Sequence, residues 1–109
     1  DESYSIRIPG GLQWIRLSEL DYIESNKHYL HYHAGKTEYR ERASLKDVAA
    51  FFEERGFAMV NASVMVNLPH IRTIQGNDVL IAGQVFSISR THKVAFWEKM
   101  SRCIGNRGV

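Results

Sequence analysis

The stretch Phe57-Ala58-Met59-Val60-Asn61-Ala62-Ser63-Val64-Met65-Val66-Asn67-Leu68-Pro69-His70-Ile71 decides how the chain folds. Two short apolar runs flank the small polar break Asn61-Ala62-Ser63, and Asn67 closes the second run just before Pro69. Val64, Met65 and Val66 are β-prone and nearly unbroken, the pattern of a strand covered on both faces. Small polar residues between two such strands mean that the backbone turns there and presents a tip to solvent. That tip is the first candidate for function, and two other segments are expected to converge on it.

Upstream, short alternating bursts between turn residues predict β-structure. Tyr4, Ile6 and Ile8 share one face of a first strand, turned by Pro9-Gly10-Gly11. Residues 12–17 pair back, with Trp14 expected as a large buried anchor. Ser18 is placed to cap a brief helical turn over 18–21. Strands over 22–24, 29–33 and 37–42 follow, separated by the polar loop Ser25-Asn26-Lys27-His28 and the turn Ala34-Gly35-Lys36. A helix begins at Ser44, where Ser44 and Asp47 form a variant capping box. Leu45, Val48, Ala49 and Phe52 make its buried stripe, and Gly56 suits a left-handed end.

Downstream, residues 71–75 and 79–82 predict a hairpin about Gly76-Asn77-Asp78, and residues 85–88 a last strand. Ser89-Arg90-Thr91 leads into a second helix, with an apolar face expected from Val94, Trp97, Met100 and Ile104, broadened by Phe96. Asn67 reads as a structural side chain at a strand end, and residues 105–109 as a frayed tail. The residues alone thus describe a mainly β domain of nine or ten short strands with two helices. There is no βαβ repeat, internal repeat or linker.

At 109 residues the chain suffices for one core. Asp1 at its start leads us to expect a piece of a longer protein. No apolar run approaches the roughly 20 residues of a membrane helix, and no signal peptide is visible. Cys103 stands alone, which rules out an internal disulfide, suits a reducing cytoplasm and reads as a small apolar helix residue. Residues 1–56 carry 8 basic and 10 acidic side chains, whereas residues 57–109 carry 6 and 2. A basic second half is a mild pointer to a polyanionic partner.

Three polar breaks, over residues 25–28, 61–63 and 89–93, hold Asn26, Lys27, His28, Asn61, Ser63, Arg90, Thr91, His92 and Lys93. Cations, hydroxyls and amides without a carboxylate suit phosphate contact and base-edge reading. Ordinary solvated loops of a β protein carry the same residue types, so composition alone leaves both readings open.

Tyr22-Ile23-Glu24-Ser25 followed by Lys27-His28-Tyr29 resembles the LytTR family of bacterial DNA-binding domains. So, in order, do Ser44-Leu45-Lys46-Asp47, Gly56-Phe57, Ser63-Val64-Met65-Val66-Asn67-Leu68, His70-Ile71 and Ser87-Ile88-Ser89-Arg90. The resemblance covers about residues 4–104. It implies an elongated fold of ten antiparallel strands in small stacked sheets, with loops rather than a recognition helix entering successive major grooves of a bent duplex. It implies His28 and Arg90 as the outer base contacts, and a middle contact at the Asn61-Ala62-Ser63 tip. There the sequence departs from the family's usual His-Arg-Ser or His-Asn-Ser. Ala62 has no hydrogen-bonding side chain, although it can touch a thymine methyl, and loss of a bidentate pair removes about 1–3 kcal/mol of discrimination. Lys27 and Lys93 are the expected phosphate contacts.

The resemblance further implies a non-enzymatic transcription regulator of the bacterial cytoplasm, without cofactor, binding double-stranded DNA at paired direct repeats as a homodimer. It implies a two-component response regulator whose receiver, or in some members a sensory segment, precedes this domain. Two rivals stand beside it. His31-Tyr32-His33 with Glu38 is similar to the first metal motif of cupins, and strand alternation puts both histidines on one face. No second cupin-like block follows. The other rival is a protein-interaction module with the same fold and idle loops. No Gly-rich phosphate loop or Gly-x-Ser-x-Gly elbow is present.

Overall fold

Val64, Met65, Val66 and Asn67 form one strand, and all four are buried. In the computed structural model, which describes residues 1–104, that strand lies inside a five-stranded antiparallel sheet. The strands in chain order are β1 (Ser3–Ile8), β2 (Gly11–Arg16), β3 (Tyr22–Asn26), β4 (Tyr29–Ala34) and β5 (Thr37–Arg42), then β6 (Phe57–Asn61) and β7 (Val64–Asn67). After them come β8 (Thr73–Gln75), β9 (Asp78–Ile81) and β10 (Gln84–Ser87). Helix α1 (Leu45–Glu53) precedes β6, and α2 (Arg90–Ile104) follows β10. The large sheet runs β5-β4-β3-β7-β6, with β1-β2 as a hairpin and β10-β9-β8 as a third sheet.

Alternation along β7 explains the layering. Met65 points into a core shared with Ile6, Ile15, Val48 and Phe52, from the β1–β2 hairpin and α1. Val64 and Val66 point the other way, into a core shared with Val79, Ile81, Ile88 and Phe96, from the third sheet and α2. The apolar run in the sequence is therefore a central strand of an antiparallel sheet covered on both sides. Layers stacked in this way give a molecule 48 × 29 × 25 Å across, elongated as expected.

Asn67 holds the far end of this arrangement. It is buried, and its side-chain nitrogen donates to the carbonyls of Leu20 at 2.8 Å and Leu17 at 3.4 Å. Its backbone N–H donates to the Asp21 carbonyl at 2.9 Å. These bonds pin β7 to the connection between β2 and β3, so the structural role expected of Asn67 is seen, with partners far away in sequence.

Several local expectations are corrected. Trp14 is 60% exposed; Ile15, its neighbour on the other face of β2, is the buried anchor. The brief turn after β2 is a 3-10 turn over Leu17–Glu19, and Ser18 makes no capping bond to backbone. Ser44 is the N-cap of α1, but its hydroxyl donates to the Asp47 carboxylate at 2.8 Å rather than to a backbone group. On α2 the inward side chains are Phe96 and, in part, Met100, whereas Val94, Trp97 and Ile104 are exposed. Cys103 is exposed too. Residues 68–70 form a second 3-10 turn, which shortens the strand expected from residue 71 to Thr73–Gln75. The tail expected to fray at 105–109 lies outside the described residues.

Asn67→Ala removes the side-chain donor to the Leu20 carbonyl and the second donor to the Leu17 carbonyl, which still accepts from the Leu20 N–H. The loss is about 1–3 kcal/mol. For a domain of this size that lowers the melting temperature by roughly 4–8 °C per kcal/mol. Thermal unfolding followed by circular dichroism checks it; an unchanged midpoint would show the two bonds to be dispensable.

Candidate nucleic-acid interface

The first tip is tighter than the loop read from the sequence. β3 continues to Asn26, β4 starts at Tyr29, and these two residues pair, so only Lys27 and His28 make the turn. Closing a hairpin in two residues calls for positive φ, and Lys27 supplies it at +60°. That conformation costs a residue with a Cβ about 1 kcal/mol or more. Asn26, Lys27 and His28 are all exposed.

The second tip is held by its own asparagine. The Asn61 side-chain oxygen accepts the Ser63 backbone N–H at 2.8 Å, and its nitrogen donates to the Ser87 carbonyl at 3.2 Å. Both ends of the amide thus serve backbone, which makes Asn61 the brace of the turn and leaves Ala62 and Ser63 as its exposed residues. Just before it, the pairing of β6 with β7 skips Val60, a bulge that releases one residue from the ladder. The freed Val60 carbonyl accepts the Ser89 N–H at 2.8 Å.

That bond anchors the third segment. Ser89 stands immediately before α2, its backbone carbonyl accepts the His92 N–H at 3.1 Å, and its hydroxyl shares a 2.8 Å hydrogen bond with His92 Nδ1. Arg90 is thus the first residue of the helix rather than part of a loop. It is exposed, as are Thr91 and Lys93. Unpaired N–H groups and the positive end of the helix dipole favour a phosphate at this position.

The three segments form one edge. The Ser25 N–H donates to the Ser63 carbonyl at 2.7 Å, joining the first tip to the second. The Asn61–Ser87 and Ser89–Val60 bonds join the second to the third. Between the second and third tips runs a shallow groove of about 670 Å³, lined by Ala62, Ser63, Ser89, Thr91, His92 and Glu24 among others. Glu24 lies within the stretch that carries the family resemblance but does not read from the sequence as part of the site, because it sits in mid-strand and not in a polar break. As an acceptor-only group it suits a cytosine amino group.

The histidines of β4 have another explanation than metal. His31 Nδ1 lies 2.6 Å from a Glu38 carboxylate oxygen, and that hydrogen bond holds the Glu38 carboxyl below its ordinary value. His33 stacks on Tyr22, ring centroids 4.2 Å apart, and burial pushes its imidazolium pKa down. No three His, Cys, Asp or Glu side chains among the described residues are arranged to hold a metal ion. Nor, among them, is any helix long and apolar enough to cross a membrane.

The family model described as the LytTr DNA-binding domain matches residues 11–101. A similar solved structure is described as the LytTr DNA-binding domain of a methyl-accepting/DNA response regulator from Bacillus cereus. It is 17% identical with a TM-score of 0.75, over 92% of this chain and 97% of that one. No curated protein matches.

Two outcomes follow from this geometry. Lys27→Gly removes the strained φ, so the domain should be no less stable, gaining up to about 1 kcal/mol, while affinity for DNA falls with the lost cation. Parallel urea unfolding and DNA titration separate the two effects. His33, disfavoured as a cation when folded, takes up its proton more readily in the unfolded chain. Its share of stability is therefore complete above about pH 6.5 and declines as the pH drops below that value. His33→Phe should flatten the decline in melting temperature in that window; an identical slope would assign the decline to other groups.

Proposed function

The chain belongs to the LytTr DNA-binding domain family, and from that premise we propose that it is the sequence-reading output domain of a bacterial transcription regulator of the response-regulator type. A receiver domain elsewhere in the protein would control it; the similar Bacillus cereus domain is described as part of a response regulator. It works in the cytoplasm by binding rather than by catalysis, and two copies occupy paired direct repeats on double-stranded DNA.

One observation carries the reading: three polar tips, distant in sequence, are tied by hydrogen bonds into a single edge rich in cations and hydroxyls. A duplex laid along that edge meets His28 at one outer position and Arg90 at the other, each entering a major groove. Arg90 reads guanine through its fork, and His28 contacts a base edge. Lys27, Lys93 and Asn26 contact the backbone and set the register. In the middle, Ser63 and the methyl of Ala62 face the DNA while Asn61 keeps the turn in shape. The middle position is therefore less selective than the outer two.

Selection of bound duplexes from a random pool tests this directly. The wild-type chain should enrich a defined site, and Arg90→Ala should relax base preference at one end of it, with a loss of about 1–3 kcal/mol in discrimination. Lys93→Ala should instead weaken binding to all sequences alike and reduce the salt slope by about one. Unaltered specificity in Arg90→Ala would remove that residue from the reading.

A further inference from the structure

A second group of cations gathers beside the first tip, on strands rather than loops. Alternation along β5 places Arg40 and Arg42 on the same sheet face as Tyr29, and Arg42 stands opposite Tyr29 in register. Tyr29 directly follows His28 in the chain. The Arg40 guanidinium carbon lies 4.5 Å from the Tyr29 ring centroid, a cation–π contact that orients it. Arg7 arrives from β1, its Nε 3.2 Å from the Glu41 carboxylate and its Nη2 donating to the Arg42 carbonyl at 3.2 Å. With Ile8 and Pro9 these residues line a groove of about 350 Å³.

Its charge is only partly compensated: Glu41 pairs with Arg7, and Glu38, tied to His31, acts on Arg40 without pairing with it. Glu41 lies on the opposite face of β5, buried, where it accepts from the Tyr32 hydroxyl at 2.9 Å as well as from Arg7. Neither Arg40 nor Arg42 has a carboxylate partner among the described residues. Cations held side by side without an internal counter-ion repel one another, and an external anion relieves that repulsion. Guanidinium forks match phosphate oxygens two at a time.

We infer that this groove seats backbone phosphates of the duplex flanking the first tip, so that the footprint continues past His28 onto the open half of the large sheet. The inference rests on the reading that the tip edge faces DNA. Continuity with that edge favours a duplex over a free phosphate compound, because the groove begins at the residue after His28. Its Tyr29, Arg40 and Arg42 lie on the sheet face that α2 also covers, with Arg7, Ile8 and Pro9 closing it at the β5 edge.

The test measures binding of the 109-residue chain to a labelled mixed-sequence duplex of about 30 base pairs, by fluorescence anisotropy between roughly 50 and 200 mM salt. Arg40→Gln/Arg42→Gln keeps the stems and removes both charges. Lys36→Gln/Arg72→Gln removes two charges at the far end of the sheet, where Gly35 and Arg72 line another groove. The first variant should bind on the order of tenfold more weakly and flatten the log–log salt slope by about 1.8; the second should match wild type. Equal losses in the two variants would reduce the effect to general charge and overturn the groove. An unchanged slope in the first variant overturns it while the DNA reading stands. No wild-type binding to any duplex would overturn both. Inorganic phosphate that shifts the Arg40 and Arg42 resonances, without a change of DNA slope in the first variant, would assign the groove to a small anion instead.

Discussion

The fold depends on β7 being covered on both faces. With Met65 committed to one core and Val64 and Val66 to the other, the large sheet must carry a layer on each side. A sheet covered in this way cannot offer the faces of its central strands to a ligand. What remains open is the ends of its strands and the part of one face that the third sheet and α2 do not reach. On the proposed reading recognition falls mainly to turns, and the turns are stiff: two residues at the first tip, an asparagine brace at the second, a helix start at the third. Such turns lose little entropy when they meet a partner.

Much of this was legible in the sequence because turn chemistry is local. The positions of the tips, the sequence of strands, the α1 stripe and the Gly56 end, at φ +90°, follow from residue types a few positions apart. What was not legible was side. Both Ile15 and Trp14 lie on β2, one on each face, and alternation gives two equally apolar registers. Size favoured Trp14, but a two-stranded hairpin leaves its outer face uncovered, and Trp14 is on that face. On α2 the same ambiguity arises between Phe96 with Met100 and the stripe of Val94, Trp97 and Ile104. Lys99 helps to settle it, donating to the Glu53 and Phe57 carbonyls at 2.6 and 3.0 Å with its pKa lowered by burial. A lysine committed to the ends of α1 and β6 orients the helix in a way no periodicity records.

The candidate site was half legible for a related reason. Each tip could be found, but their meeting depends on bonds such as Ser25 to Ser63 and Ser89 to Val60, which only the folded register creates. The bulge at Val60 is decisive here, since it frees the carbonyl that fixes α2 beside the second tip. The arginines of β5 were hidden by alternation itself: Glu38, Arg40, Glu41 and Arg42 read along the chain as a balanced run. Folding sends Glu41 to the opposite face and ties Glu38 to His31, which leaves Arg40 and Arg42 together beside Tyr29.

That sorting of charge bears on how a chain of net charge +2 can attract DNA. Several acidic side chains are engaged within the protein: Glu41 by Arg7 and Tyr32, Asp21 by His70 and the Gly35 N–H, Glu2 by Arg55, and Asp47 by Ser44. The screening length near physiological salt is about 8–10 Å, a small fraction of the 48 Å long axis. Carboxylates remote from the tip edge are therefore nearly invisible to a duplex lying along it. On that same proposed reading, a duplex along the edge would meet the local set of Lys27, Arg40, Arg42, Arg90 and Lys93, relieved mainly by Glu24 in the central groove. Whole-chain charge underestimates such an edge, and the affinity of the domain is governed by which charges the fold brings to one end.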